Sequence, residues 1–153
     1  TLNCQNNQLA ELNLNFASAL TKINCANNKL TGLNFYYTNA LVSFMCQNNE
    51  LKTLDLSNKR ALMSLMCNNN PMTSLTISGC TSLVGLMAYE NRLTELNASD
   101  MGSPTGFNIF CGNQTSDGSA PQTLRLTLRE EQKPHWENDM KSSSLNNNVV
   151  LAD

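Results

Sequence analysis

Six cysteines and a single histidine carry most of the reactive chemistry in this 153-residue chain. Thiols can close disulfides, ligate zinc or attack as nucleophiles, and each use demands its own spacing. In lines of 21 residues Cys4, Cys25, Cys46 and Cys67 fill one column, Ala88 continues it, and Cys111 arrives two residues late. A zinc site needs converging ligands, commonly from short CxxC spacings, whereas a 21-residue spacing in stacked strands sets the thiols in a line. On adjacent parallel strands their Cβ atoms sit about 4.8 Å apart on parallel vectors, beyond the roughly 3.5–4.5 Å of a disulfide. The expectation is therefore a ladder of reduced, buried thiols that pack as small hydrophobes, a role Ala88 can share, with no metal and no other cofactor. Cys80, in the stretch SGCTSL, is expected in a turn as the one exposed thiol. His135 has no second ligand or nucleophile near it in sequence and reads as a surface residue. Paired acids, a triad and a phosphate loop are not found in the pattern, so an enzyme is not expected.

A line of thiols needs elements that repeat with the same period. The unit LTKINCANNKL at 20–30 returns as LVSFMCQNNEL at 41–51, ALMSLMCNNNPM at 61–72 and LVGLMAYENRL at 83–93, giving LxxLxCxxNxL. In the other half of each unit, apolar residues stand two apart: Leu12 and Leu14, Leu33 and Phe35, Leu54 and Leu56, Leu75 and Ile77. A period of two marks a short strand. Each rung then has one strand at 23–25 or its equivalent, an Asn-rich turn, and a second extended segment on the opposite side, with no room for a helix. Leu20, Ile23, Cys25, Leu30, Leu33 and Phe35 are expected to point inward, and stacking the rungs makes a continuous core. The prediction is a mainly β, right-handed solenoid of about six rungs and low curvature, with strands on two sides.

Composition agrees with that reading and narrows the function. The chain is 41% apolar, enough to bury a core. Charged residues make up 14%, the net charge is −2, and no basic block exists to neutralise phosphates or anionic lipid. Nucleic acid is therefore not an expected partner. Membrane insertion is not expected either, because no run approaches about 18 apolar residues. The 24 asparagines would suggest disorder if scattered, but most recur at fixed spacing. Asn7, Asn28, Asn49, Asn70 and Asn91 occupy one column, where a short amide can satisfy turn backbone that has no ladder partner.

The segment LxxLxCxxNxL resembles the conserved LxxLxLxxNxL of leucine-rich repeats, with Cys in place of the last strand leucine, over residues 1–114. The 21-residue unit, the cysteine column and a second motif such as LKTLDLSN are similar to internalin J-type proteins and to exported repeat proteins of Bacteroidetes. That resemblance implies a leucine-rich-repeat solenoid in a bacterial protein, secreted or on the cell surface. It also implies recognition or adhesion, with a protein or glycan as partner. The other function considered is a spacer or self-associating segment of a larger surface protein.

Residues flanking the core cysteine should face out from the sheet. The column before it reads Asn3, Asn24, Met45, Met66, Met87 and Phe110; the column after it reads Gln5, Ala26, Gln47, Asn68, Tyr89 and Gly112. Met45, Met66, Met87 and Phe110 with Tyr89, Gln47 and Asn68 are the expected ligand-binding surface, since flexible thioethers beside aromatics suit a contact face. The alternative is that the methionines only cover one another. Phe16 and Tyr37, with Tyr36 beside, fall at equivalent turns and are expected to shield the turn or the next rung, the alternative being a second exposed aromatic cluster. Thr1 enters in mid-repeat, which suggests an open first rung capable of self-association. The period ends after Cys111. Residues 1–111 are assigned to the solenoid and 112–153 to a C-terminal cap of the same folding unit. In the cap, a strand at TLRLTL precedes a capping box of Thr127 and Glu130, which opens a short helix disturbed at Pro134, with Trp136 and Met140 on one face. VVL is a candidate last strand.

Overall fold

A computed structural model describes residues 1–15, 17–103, 105–115 and 121–152; Phe16 and part of the loop before Pro121 lie outside the described residues. One face of the molecule is built from very short strands, β1 (Leu2–Asn3), β2 (Lys22–Asn24), β3 (Ser43–Met45), β5 (Ser64–Met66), β7 (Gly85–Met87) and β9 (Asn108–Phe110). The opposite face carries β4 (Thr53–Asp55), β6 (Ser74–Thr76), β8 (Glu95–Asn97), β10 (Leu124–Thr127) and β11 (Val149–Leu151). The chain alternates between faces, so it coils as a solenoid of leucine-rich rungs.

The first face is one continuous parallel sheet in the order β1-β2-β3-β5-β7-β9. Its register follows the 21-residue period, with Ile23 opposite Phe44, Phe44 opposite Leu65, and Leu65 opposite Leu86. The two extra residues of the last rung are absorbed between Met101 and Asn108, because β7 and β9 still align Leu86 with Ile109. Each strand buries only its central residue, and the cysteine column follows immediately after the strand. Extension of the sheet pairing past the strand is carried by the thiol residues' own amides: Cys25, Cys46 and Cys67 each donate N–H to the carbonyl of the residue before the next core position, at 2.8–2.9 Å.

The opposite face is not continuous. β4 pairs with β6, and β10 pairs with both β8 and β11, all parallel, but β6 and β8 belong to different sheets. The segments holding Leu12 and Leu14 and then Leu33 and Phe35 are not strands, contrary to the alternation in the sequence. Alternation put Leu14 and Phe35 into the core, but it does not supply ladder partners.

Side chains from both faces merge into a single core running from Leu14 to Val149, with Trp136 and Phe44 among its largest fully buried members. The C-terminal segment extends the coil: with β10, β11 and the two unpaired segments, the opposite face makes about seven passes, one more than the six expected. The expected capping box does not form. Arg129 N–H donates instead to Gln132 Oε1 (2.8 Å), and a helical turn starts at α1 (Lys133–His135), continuing as a π-turn, Trp136–Met140. Pro134 sits in the first turn, where its missing N–H costs nothing, so it begins the helix rather than disturbing it. Trp136 and Met140 share the buried face, as the sequence indicated. His135 is not a surface residue: its ring is half-buried, edge-on to Phe107 (centroids 4.7 Å), with Nε2 at 2.9 Å from the Phe107 carbonyl and Nδ1 at 2.7 Å from Asp139.

Candidate functional site: the ladder face and its turns

The turn after each ladder strand is held by the expected asparagine column. Asn49 Nδ2 donates to the carbonyls of Cys25 (3.1 Å), Cys46 (3.1 Å) and Gln47 (3.4 Å), while its Oδ1 accepts Leu30 N–H (3.0 Å). Asn28, Asn70 and Asn91 repeat this pattern, so each amide ties two rungs together; Asn7 is exposed and bonds within its own turn. One member of the column escaped the sequence reading. Gln114 takes the seat in the sixth rung, donating to Ala88 and Cys111 carbonyls and accepting Leu93 N–H. Its position three residues after Cys111 matches that of Asn49 after Cys46 and was a usable signal. Asn146, in the C-terminal segment, takes a different seat: it accepts Cys111 N–H (2.9 Å) and donates to Ile109 and Met140 carbonyls, and nothing in its spacing announced it.

A second asparagine column was also missed. Asn6, Asn27, Asn48 and Asn69 have φ of 59°, 57°, 58° and 56°, the left-handed region that asparagine tolerates better than most residues. Their exposed side chains form an amide chain, Asn27 to Asn6 (2.7 Å), Asn48 to Asn27 (2.6 Å), then Asn69 to Asn48 (2.5 Å). Glu90, with φ of 53°, holds the same place in the next rung and ends the chain, since a carboxylate has no N–H to give Asn69.

All six cysteines are free thiols, and Cys25, Cys46, Cys67 and Cys111 are fully buried, with Cys4 half-buried. Burial pushes the Cys25 thiol up to about 12 and the Cys46, Cys67 and Cys111 thiols well above their ordinary range, so the ladder stays protonated and does not supply a nucleophile. Cys80 corrects the expectation of an exposed thiol: it is fully buried and its Sγ donates to the Leu56 carbonyl (3.2 Å). The cause is its place in the turn. Cys80 N–H closes on Ile77, and the same closing position is held by Ala17, Thr38, Lys59 and Met101, an inward column of the opposite face. Among the described residues, no group of three His, Cys, Asp or Glu is placed to hold a metal ion.

On the outer surface of the six-stranded sheet, Met45, Met66, Met87 and Phe110 are direct cross-strand partners. They are half-buried rather than fully exposed, because each covers part of the next. Tyr89 and Gln47 flank them, also half-buried, and Gln47 Oε1 is shielded from solvent with no hydrogen-bond partner among the described residues. The other column does not face out uniformly. Asn68, Ala26 and Gly112 are buried, because the residue after the thiol already belongs to the turn. Asn68 is thus withdrawn from the surface the sequence assigned to it. The N-terminal rungs are polar, with Asn24 donating to Gln5 Oε1 (2.7 Å).

No family model and no curated protein matches the chain. Among solved structures it is similar to the functional domain of InlJ from Listeria monocytogenes, which includes a cysteine ladder, with 21% identity and a TM-score of 0.46. The match covers 82% of this chain and 40% of the InlJ chain, so this chain spans well under half the length of that structure.

Proposed function

We propose that the chain is a non-catalytic recognition module that contacts a protein partner through the outer surface of its six-stranded sheet. The observation that carries the reading is the in-register stripe of Met45, Met66, Met87 and Phe110, bordered by Tyr89 and Gln47. Thioethers and aromatic rings on a rigid parallel sheet form a surface that adapts locally while its backbone stays preorganised, which lowers the ordering cost of association. A location outside the cell or on a bacterial surface belongs to the same proposal and rests on the repeat motif; no helix among the described residues is long and apolar enough to cross a membrane.

The test is a binding panel of purified matrix and mucin proteins, run with the native chain and with the double variant Met66→Asp, Met87→Asp. Two half-buried carboxylates at the centre of the contact should lower affinity about tenfold or more while the circular dichroism spectrum is unchanged. Unchanged affinity of the double variant for a protein that binds the native chain would remove the sheet surface from the proposal.

A further inference from the structure

The opposite face opens between the second and third rungs. The turn at 35–38 is clamped at both ends, since Thr38 N–H and Oγ1 both donate to the Phe35 carbonyl (3.1 Å each) and both residues are buried. Its two central residues are therefore held outward: Tyr36 is 75% exposed and Tyr37 43%, their rings edge to face with centroids 4.9 Å apart. They do not shield the turn as the sequence reading expected. The same two places hold Ser57 and Asn58 in the next rung and Ser78 and Gly79 in the one after. The tyrosines border a groove of about 720 Å³ whose far wall includes Asp55, Ser57 and Lys59. A volume of about 300–1,000 Å³ is typical of small-molecule sites.

The polar groups of this groove are fixed before any ligand arrives. Asp55 Oδ1 accepts Ser57 N–H (2.9 Å) and Oγ–H (2.6 Å), which holds the carboxyl below its usual range and therefore ionised. Lys59 occupies the inward turn column and is only 6% exposed, yet its Nζ reaches back to donate to Asn39 Oδ1 (2.9 Å). Among the described residues, no carboxylate forms an ion pair with it. A buried ammonium with three donors whose contact is a neutral amide retains hydrogen-bonding capacity toward the groove. Asp55 and Lys59 are the two formally charged side chains of the lining, and they cancel.

We propose that this groove binds a neutral saccharide, one sugar ring stacking its C–H face on Tyr36 while neighbouring hydroxyls bond to Asp55, Asn39 and Lys59. A carboxylate acceptor set beside an ammonium donor suits vicinal hydroxyls, each of which both donates and accepts. An amphipathic aromatic supplies the apolar contact at little entropic cost. Cancelling charges give no net field to favour an ionic ligand. The inference is independent of the sheet surface proposed above, because none of its residues lies there.

The experiment is an NMR titration of the isotopically labelled chain with cellobiose, maltose, lactose and N,N′-diacetylchitobiose, and with digalacturonic acid and a tyrosine-rich peptide as contrasting arms. The expected result is saturable shifts at 33–39 and 55–59 with at least one neutral disaccharide at millimolar concentration. Tyr36→Ala and Asp55→Asn should each weaken that binding about tenfold or more, whereas Glu95→Gln, remote on β8, leaves it unchanged. Tyr36→Ala removes an exposed ring, so its thermal midpoint should match the native one, separating loss of the ligand from loss of the fold. Absence of shifts with every neutral disaccharide, retained binding in Tyr36→Ala, or stronger binding of the acid or the peptide would each overturn the proposal.

Discussion

The two faces of the solenoid are built from the same kind of rung but are held in different ways. On the ladder face, every turn from the second rung to the sixth is tied to its neighbour by an amide side chain that bonds backbone of two rungs, and the sheet runs unbroken through six strands. On the opposite face, the comparable polar residues only close their own turns: Asn13, Asn34, Asp55 and Asn97 each accept the N–H two residues on. That face separates into two sheets and two unpaired segments, and its grooves lie where pairing stops. Side-chain bonds between rungs do occur on that face, such as Lys59 to Asn39, Cys80 to Leu56 and Gly79 N–H to Asp100, but they differ from rung to rung and do not form one repeated column.

The largest effect that would break this contrast is expected at Asn70. Asn70→Leu leaves Leu51 N–H without a partner in a buried site and removes one of the two amide donors to each of the Cys46 and Cys67 carbonyls, which keep Asn49 and Asn91, and should cost about 2–3 kcal/mol in urea denaturation. Asn34→Ala, on the opposite face, loses one exposed bond and should cost under about 1 kcal/mol. Equal losses for the two variants would erase the distinction between the faces.

A smaller effect is expected from the thiols. Below about pH 9 a cysteine is protonated in both the folded and unfolded chain. Above it the unfolded chain releases the proton while folded Cys25 keeps its own up to about 12, so the unfolded state binds fewer protons and stability falls as pH rises. Denaturation at pH 10 should therefore show a loss relative to pH 8 that Cys25→Ala reduces by about 1 kcal/mol. Alanine is a fitting replacement because Ala88 already fills that column, fully buried. A pH dependence identical in the variant would remove Cys25 from the alkaline transition.

The smallest effect is a gain. Glu90→Asn places a residue suited to φ of 53° where the outer amide chain stops, and gives Asn69 the donor that it lacks. Thermal denaturation should show stabilisation of about 0.5–1 kcal/mol. A destabilised variant would mean that Glu90 makes interactions worth more than the restored ladder bond.

Much of the ladder face was legible because a rung repeats. Cys25, Cys46 and Cys67 with Asn28, Asn49 and Asn70 stand at constant offsets, and a parallel stack converts equal offsets into vertical columns. The same offset marks Gln114, whose longer amide fills the asparagine seat. Spacing misled at Cys80 and Asn68: Cys80 shares a 21-residue column with Ala17, Thr38, Lys59 and Met101, but residue types so varied do not mark that column as inward until the turn closes. The methionine stripe was found by alternation, but its half-burial comes from cross-strand neighbours. Tyr36 and Tyr37 were visible as aromatics at a turn, while the groove below them needed the third rung in place.

The sequence by itself determined the rung: its 21-residue period, its paired apolar positions, its thiol column and its asparagine turns. These follow from local spacing, which a parallel stack can realise in one register only, since a slip of one residue would turn buried side chains to solvent. Tertiary structure alone decided how the rungs connect. It set the unbroken sheet on one side and the divided one on the other, and brought Asn146 from the C-terminal segment against Cys111. It also placed Lys59 facing Asn39 from the adjacent rung, in the groove lined by Tyr36. Those outcomes depend on contacts between residues roughly a rung or more apart, where packing and hydrogen-bond partners are chosen by the assembled neighbours and leave no mark in any one repeat.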